Sequence, residues 1–467
     1  MFRFVLVLAL ACSLVPELRA DDPPARQPAA DAPAHSVFAH TARAGGLRYT
    51  WVLPKGYDGK TPRNLSVILH GTGLDYRWGH WNNKPGIFRP DDIVVSVDGT
   101  SPDGQTRLFL GRPEDAALFA KFLEELRASF SVDRIFLYGH SQGGFFVPYF
   151  MGEHPEAVAG GVAHASGAWN WSKTPKELRK LALVFLHGSS DPVVPYGQSP
   201  GSRDYYVEHG FPLTHLRRLP YYNHWPNAVR ATEELDWCQG MTAKDPREVL
   251  DCALAMLRTK PADEYQWTTV VDFSGALRVL ERLVGKGPVA LEKVPEDLAQ
   301  EAREWMARID AQAEEQVKTL RATLPKKGAL VLDGKPWLGQ LLPLREDFRG
   351  VDAVEKLCAE IGLAKLAEAH GKATKPLYDA WYGEGKSEAD CAGAVLESIG
   401  KCFLVDGLPA NLREKMEEWK KRKLELPAKV AKKWNDWESY LKGLDDGWKQ
   451  YESVWKKWKG PETKRAR

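Results

Sequence analysis

The chain has 467 residues, 43% of them hydrophobic, and a formal net charge of +2. That is enough material for two or three domains. The near-neutral balance gives no general attraction to nucleic acid, and past the first residues no run is apolar enough to span a bilayer.

Met1-Phe2-Arg3 makes a minimal positive start, and Phe4 to Leu14 is an almost uninterrupted apolar stretch with a cleavage point after Ala20. Residues 1–20 read as a signal peptide, too short to anchor in a membrane, which predicts a secreted or periplasmic protein. Ala9-Leu10-Ala11-Cys12 is a poor lipidation box, so Cys12 is not taken as a lipoprotein site. Residues 21–35, rich in Pro, Ala and Asp, form a flexible lead-in. Export permits disulfides. Of six cysteines five remain after cleavage, and Cys238–Cys252 and Cys391–Cys402 are candidate pairs with one thiol left over.

From residue 36 to 284, strand and helix patterns alternate. Val37 to Tyr57 predicts an antiparallel pair turning at Gly45-Gly46. Leu65 to Leu69 is an apolar strand that runs into His70-Gly71-Thr72-Gly73, and Asp92 to Val97 is another strand. Asp115 to Phe130 carries Phe119, Phe122, Leu123, Leu126 and Phe130 on one helical face. Arg134 to Tyr138, entered from Ser131-Val132-Asp133, reads as a buried parallel strand; a short strand follows at Gly160 to Gly167. Such alternation predicts a doubly wound, mainly parallel sheet with right-handed crossovers.

Gly139-His140-Ser141-Gln142-Gly143 sits between the strand ending at Tyr138 and the helical start Gly144-Phe145-Phe146-Val147. A serine flanked at two residues by glycine, between strand and helix, is the nucleophile-elbow pattern. The turn is so sharp that side chains at the flanking positions would strike backbone. Next comes Leu181 to Leu186, a buried strand leading through His187-Gly188-Ser189-Ser190 to Asp191, on the same sheet edge as Ser141. His224 lies in Tyr221-Tyr222-Asn223-His224-Trp225-Pro226, between the strand-like Thr214 to Leu219 and the helical Asn227 to Leu235. That is where a general base belongs; His215 and His209 are its rivals. His70, His140 and His187 read as imidazoles packed around the site.

Serine is a weak nucleophile at neutral pH, so acyl transfer needs a base to take its proton and an acid to orient that base. Ser141, His224 and Asp191 supply these roles, in the chain order Ser, Asp, His. Negative charge developing on the carbonyl oxygen calls for two backbone N–H donors. One is assigned to Gln142 and the other to Thr72, with Gly73 as the alternative. Trp78, Trp81, Trp169, Trp171 and Trp225 are candidates for an aromatic substrate rim. No spaced His/Asp/Glu cluster or His-Glu-x-x-His motif is present, so neither metal nor cofactor is expected in the chemistry.

These motifs, Leu69-His70-Gly71-Thr72-Gly73, Tyr138-Gly139-His140-Ser141-Gln142-Gly143-Gly144, Phe185 to Tyr196 and Asn223-His224-Trp225-Pro226, resemble those of the α/β-hydrolases. The nearest likeness is to the secreted polyhydroxybutyrate depolymerase and feruloyl-esterase-like serine esterases. It spans about residues 50–240 and implies a nucleophile, acid and histidine at Ser141, Asp191 and His224. Two departures are Pro148, inside the helix after the elbow, and Asn223, where the family usually has glycine.

After about Gly240 the chain turns almost wholly helical. Asp245 to Val284 reads as helices with an irregular middle, and Gly285 to Lys293 as a boundary. Pro295-Glu296-Asp297 opens a long helix whose apolar face is Leu298, Ala302, Trp305, Ile309, Val317, Leu320 and Leu324. Further helices are expected at Val351 to Ala369, Lys375 to Tyr382 and Glu388 to Phe403, so residues 294–467 are an α-helical accessory domain. Trp434, Trp437, Leu441, Leu444, Trp448, Tyr451, Trp455 and Trp458 form a heptad-like seam over 434–458, flanked by lysines. It packs on its own domain or meets a surface or partner. The expected activity is hydrolysis of a small or polymeric carboxylic ester. A serine peptidase of the same fold is one alternative; a surface-binding protein with a vestigial hydrolase domain is another.

Overall fold

The computed structural model describes residues 38–81, 89–103, 106–168, 180–188, 191, 193–219, 222–258, 271–324 and 336–363, with Glu418, Lys442, Asp446, Lys449, Gln450, Trp458, Gly460 and Pro461. Eight strands form one sheet: β1 (Phe38–Thr41), β2 (Arg48–Val52), β3 (Arg63–Leu69), β4 (Ile93–Val97), β7 (Val132–His140), β8 (Gly160–His164), β9 (Ala182–Gly188) and β10 (Thr214–Leu219). Their spatial order is β1-β2-β4-β3-β7-β8-β9-β10. Strand β2 pairs antiparallel with β1 and β4, and every other pairing is parallel. A separate hairpin, β5 (Ser101–Asp103) with β6 (Thr106–Leu108), follows β4.

Alternation along the strands divides the core into two faces. Leu65, Val67, Leu69, Ile135, Leu137, Leu183 and Phe185 pack with helices α2 (Pro113–Ser129), α3 (Gln142–Glu153) and α4 (Gln198–Glu208), which contribute Phe119, Phe122, Phe146, Phe150 and Tyr206. Ile68, Val94, Phe136, Tyr138, Val162, Val184 and Leu186 face the other way, against α5 (Ala228–Thr242), α6 (Pro246–Leu257) and α7 (Phe273–Leu283). Pro148 lies within α3, which nevertheless runs unbroken. A short α1 (Trp78–Trp81) precedes β4.

The second face continues outward. Beyond turns at Gly285 and Gly287, both at positive φ, comes α8 (Glu296–Thr323), then α9 (Pro336–Asp347) and α10 (Asp352–Ile361). Leu298, Ala302, Trp305, Ile309, Val317 and Leu320 of α8 are buried in the same cluster as α5–α7 and the sheet, so the hydrophobic core is continuous across 285–293. Helix α10 ends at Ile361, where left-handed Gly362 interrupts it; residues 364–369 of the expected helix lie outside the described residues. Trp458 joins this core: its indole N–H donates to the Leu257 carbonyl at 3.1 Å and its ring meets Phe273 edge-on. The rest of the aromatic seam, and the helices expected at 375–382 and 388–403, lie outside the described residues.

One expectation is corrected. Cys238 and Cys252 are both buried and both free. Cys238 Sγ turns toward the sheet, 3.6 Å from the Ala182 carbonyl oxygen and 3.8 Å from that of Gly161, so it faces strands rather than α6. Cys391 and Cys402 lie outside the described residues. Among the described residues no helix is long and apolar enough to cross a membrane.

Candidate active site

Strand β7 passes directly into α3 through Ser141, whose φ of 53° and ψ of −117° place a non-glycine residue in a costly region of backbone space. Such a conformation typically costs about 1–3 kcal/mol and persists only when its surroundings enforce it. Here they do. The Ser141 N–H donates to the His164 carbonyl on β8 at 2.9 Å, and the Gly143 N–H to the His70 carbonyl beyond β3 at 3.2 Å. A Cβ on Gly139 would fall on the Gly143 carbonyl, and one on Gly143 would sit 2.5 Å from the Leu69 carbonyl oxygen. Both glycines are therefore steric requirements of the turn that lifts Ser141 to the carboxyl edge of the sheet.

Asp191, fully buried just past β9, accepts from four directions. Its Oδ1 takes the N–H groups of Val193 and Val194 at 2.8 and 2.9 Å, and its Oδ2 takes His224 Nδ1 at 2.7 Å and His187 Nε2 at 3.1 Å. Burial pushes its carboxyl up, but hydrogen bonds from His187 and His224, with the charges of those rings, outweigh that and hold it well below the usual carboxylate range. The bond to Asp191 places the His224 proton on Nδ1 and leaves Nε2 as the acceptor nitrogen. His224 comes after β10 and just before α5, whose N-cap Asn227 accepts the Arg230 N–H at 3.0 Å. The loop crosses Gly188 so closely that any side chain there would strike the carbonyls of Tyr222 and Asn223. Asn223 closes a local turn by accepting the Trp225 N–H at 2.9 Å.

A layer of buried histidines supports this pair. His140 Nε2 donates to the His224 carbonyl at 2.7 Å, and the two rings lie 4.9 Å apart. Burial, then the neighbouring His224, lowers His140 to about 3. His164, hydrogen-bonded to the Tyr138 hydroxyl at 2.8 Å, is lowered by burial as well. His70 accepts the Gly99 N–H on Nε2 at 3.2 Å, so its Nδ1 donates to the Gly71 carbonyl at 2.8 Å. His187 spans two parts of the site: Nε2 reaches Asp191 and the Val194 carbonyl, while Nδ1 lies 2.6 Å from Ser199 Oγ, which donates to the Ser166 carbonyl. His140, His70 and His187 thus sit where packing neighbours were expected, each with a specific orienting bond. His209 caps α4 beside Tyr205, and His215 is buried in β10; neither contacts Asp191 in this arrangement.

Gln142 is the first residue of α3, so its N–H has no acceptor within the helix. Its side-chain Oε1 accepts the Phe109 N–H at 3.3 Å. The Gly71–Leu74 turn, closed by Leu74 N–H to Gly71 carbonyl at 3.3 Å with Gly73 at φ 79°, lies against Ser141, since a Cβ on Gly71 would be 3.2 Å from the Ser141 Cβ. Thr72 and Gly73 are both exposed on this turn. Among the described residues the Ser141 hydroxyl makes no side-chain hydrogen bond to His224; such bonds commonly tighten only when substrate arrives.

The aromatic residues divide. Trp225 is 61% exposed beside His224, and Val193, two residues after Asp191, is 64% exposed. Trp78, expected on the rim, is 4% exposed and stacks on His140 and Tyr138, so it packs beneath the histidine layer instead. Its position on the short α1 turns the ring into the sheet. Trp81 ends α1; Trp169 and Trp171 lie outside the described residues. Val193 was missed in the sequence because a valine in a Val-Val-Pro run reads as core.

Residues 103–220 match the family model of the alpha/beta hydrolase fold. With the mixed eight-stranded sheet and the strained serine between β7 and α3, that match decides the fold. It is an α/β-hydrolase fold, followed by further helices. No curated protein matches the chain. Among solved structures, a carboxylesterase from Mesorhizobium loti is 18% identical, over 42% of this chain and 98% of that one, with a TM-score of 0.36. A CE1 ferulic acid esterase from Anaeromyces mucronatus is 18% identical over 44% and 90%, at 0.35. The Bacillus cereus carboxylesterase is 15% identical over 42% and 94%, also at 0.35. Each alignment covers less than half of this chain.

Proposed function

We propose that the chain is an exported serine ester hydrolase acting on carboxylic esters of short-chain, feruloyl, acetyl-polysaccharide or polyester type. The observation that carries this reading is the 2.7 Å bond from His224 Nδ1 to the buried Asp191 carboxylate, beside a serine held at positive φ on a strand-to-helix turn. In this reading His224 Nε2 takes the Ser141 proton as Ser141 Oγ attacks the ester carbonyl, and Asp191 stabilises the imidazolium that forms. The Gln142 N–H and that of Thr72, or Gly73, hold the oxyanion. The alcohol leaves with the proton returned by His224, and water hydrolyses acyl-Ser141 by the same path.

Exposed Trp225 and Val193, on either side of the pair, support an apolar or aromatic group on the substrate. The leader over residues 1–20 supports export to the periplasm or beyond. Trp458, docked on Phe273 and Leu257, supports an internal packing role for the end of the 434–458 seam over contact with a surface or partner. The test is hydrolysis of short-chain and aromatic para-nitrophenyl esters by purified protein with Ser141→Ala beside it. Activity abolished by that substitution is expected; equal rates from both proteins, or none from either, would sink the reading on these substrates.

A further inference from the structure

A second group of chemically capable side chains is buried away from Ser141, where β10 meets α5 and α7. His215 of β10, Glu234 of α5 and Asp272, the N-cap of α7, bring one ring nitrogen and two carboxylate oxygens within 4.8 Å of one another. His215 Nε2 lies 3.3 Å from Asp272 Oδ2 and 3.7 Å from Glu234 Oε2. The Glu234 carboxylate is fully buried and accepts no hydrogen bond on either oxygen. Buried polar atoms are almost always paired, so a carboxylate left this way beside the His215–Asp272 pair requires an explanation.

Their chemistry supplies one. Donors around a tetrahedral zinc at about 2.0–2.2 Å are separated by roughly 3.3–3.6 Å, close to the two spacings from His215 Nε2. A nitrogen with two carboxylates suits a zinc-class ion better than calcium or magnesium, which prefer oxygen alone. The outer oxygen of Asp272 is braced as outer-shell groups brace metal ligands. Asp272 Oδ1 accepts the Gly275 N–H at 2.9 Å and faces Arg217 Nη1 at 3.2 Å, while Glu234 Oε1 faces Arg217 Nε at 3.8 Å.

We propose that His215, Glu234 and Asp272 form a buried site for one divalent transition-metal ion of the zinc class, which clamps β10, α5 and α7 together. The segment bearing His224 connects β10 to α5, so the ion anchors both ends of it, His215 on one side and Glu234 on the other. The site is structural and independent of the serine chemistry. Sequence spacing hides it because its ligands come from three separate elements.

The test uses the full chain, freed of metal by chelator, exchanged into zinc, passed over a desalting column and analysed by inductively coupled plasma mass spectrometry. About one zinc per chain should be retained, with the melting temperature raised by several degrees over the metal-free form, since a ligand bound only by the folded state stabilises it. Glu234→Gln, nearly isosteric, and His215→Ala should each lose the retained zinc and the zinc-dependent shift. Cobalt in place of zinc should give the visible absorption of a four-coordinate ion in the parent only. No retained metal and no zinc-dependent shift in the parent chain would overturn the proposal, whether or not the variants fold. So would a Glu234→Gln chain that keeps as much zinc as the parent.

Discussion

His140 offers a quantitative test of the histidine layer, because its ring is buried neutral while the unfolded chain exposes an ordinary imidazole. Burial, then the nearby His224, lowers it to about 3, against about 6.5 for a free histidine. The folded value lies below the unfolded one, so the unfolded chain takes up the proton first as pH falls. The stabilising contribution is complete above about pH 6.5 and is lost progressively as pH drops toward 3. At pH 5.5 the loss from this one ring is about 1.4 kcal/mol relative to pH 7.5. The perturbation is His140→Gln, which keeps an N–H near the His224 carbonyl but cannot titrate. Urea unfolding of parent and variant at pH 7.5 and 5.5 gives four free energies. The drop between the two pH values should be smaller in the variant by about 1.4 kcal/mol. A variant with the same pH dependence as the parent would show that His140 gains its proton in the folded state, and would refute the burial reasoning.

Four further substitutions probe the elbow, the pair and the mouth of the site. Gly139→Ala forces a methyl onto the Gly143 carbonyl, so ester hydrolysis should fall to background and urea stability should drop by several kcal/mol, of order 3 or more. Asp191→Asn should lower kcat by about 10⁴ by disturbing the His224 tautomer, whereas His187→Asn, which removes one hydrogen bond to Asp191, should cost about 10- to 100-fold; stopped assays on one chromogenic ester rank the two. Trp225→Ala should raise KM for aromatic and long-chain esters by about tenfold while leaving acetate esters nearly unchanged, as expected for loss of apolar contact at an exposed rim.

Much of this arrangement was legible in the sequence because it is written locally. A sharp turn demands glycine at 139 and 143, buried parallel strands demand unbroken apolar runs, and Ser141 and Asp191 each follow such a run, while His224 follows a strand-like stretch and precedes a helix. The missed parts depend on distant residues or on weak local signals. Helix α4 contains Pro200 and Gly201, and α9 contains Gly339 and Pro343, which hide their helical pattern; buried Tyr206 in α4, and Leu341 and Leu344 in α9, hold them in place. Trp78 sounds like a rim residue from its place after the His-Gly loop, yet its large apolar ring gains more by stacking on His140 and Tyr138. Cys238 and Cys252 are close in sequence, but helix α5 directs the first thiol to the sheet. Arg217 lies beside Arg218 in the strand, and only the fold surrounds it with Glu234, Asp272 and Asp347.

The most direct test of the central claim is covalent capture of the nucleophile. The full chain is treated with a fluorophosphonate, which phosphonylates an activated serine, and the adduct is located by peptide mass spectrometry. One adduct per chain on Ser141, absent from Ser141→Ala and strongly slowed in His224→Ala, is the predicted result. Adduct on another serine such as Ser199, or labelling that is unchanged by His224→Ala, would contradict it.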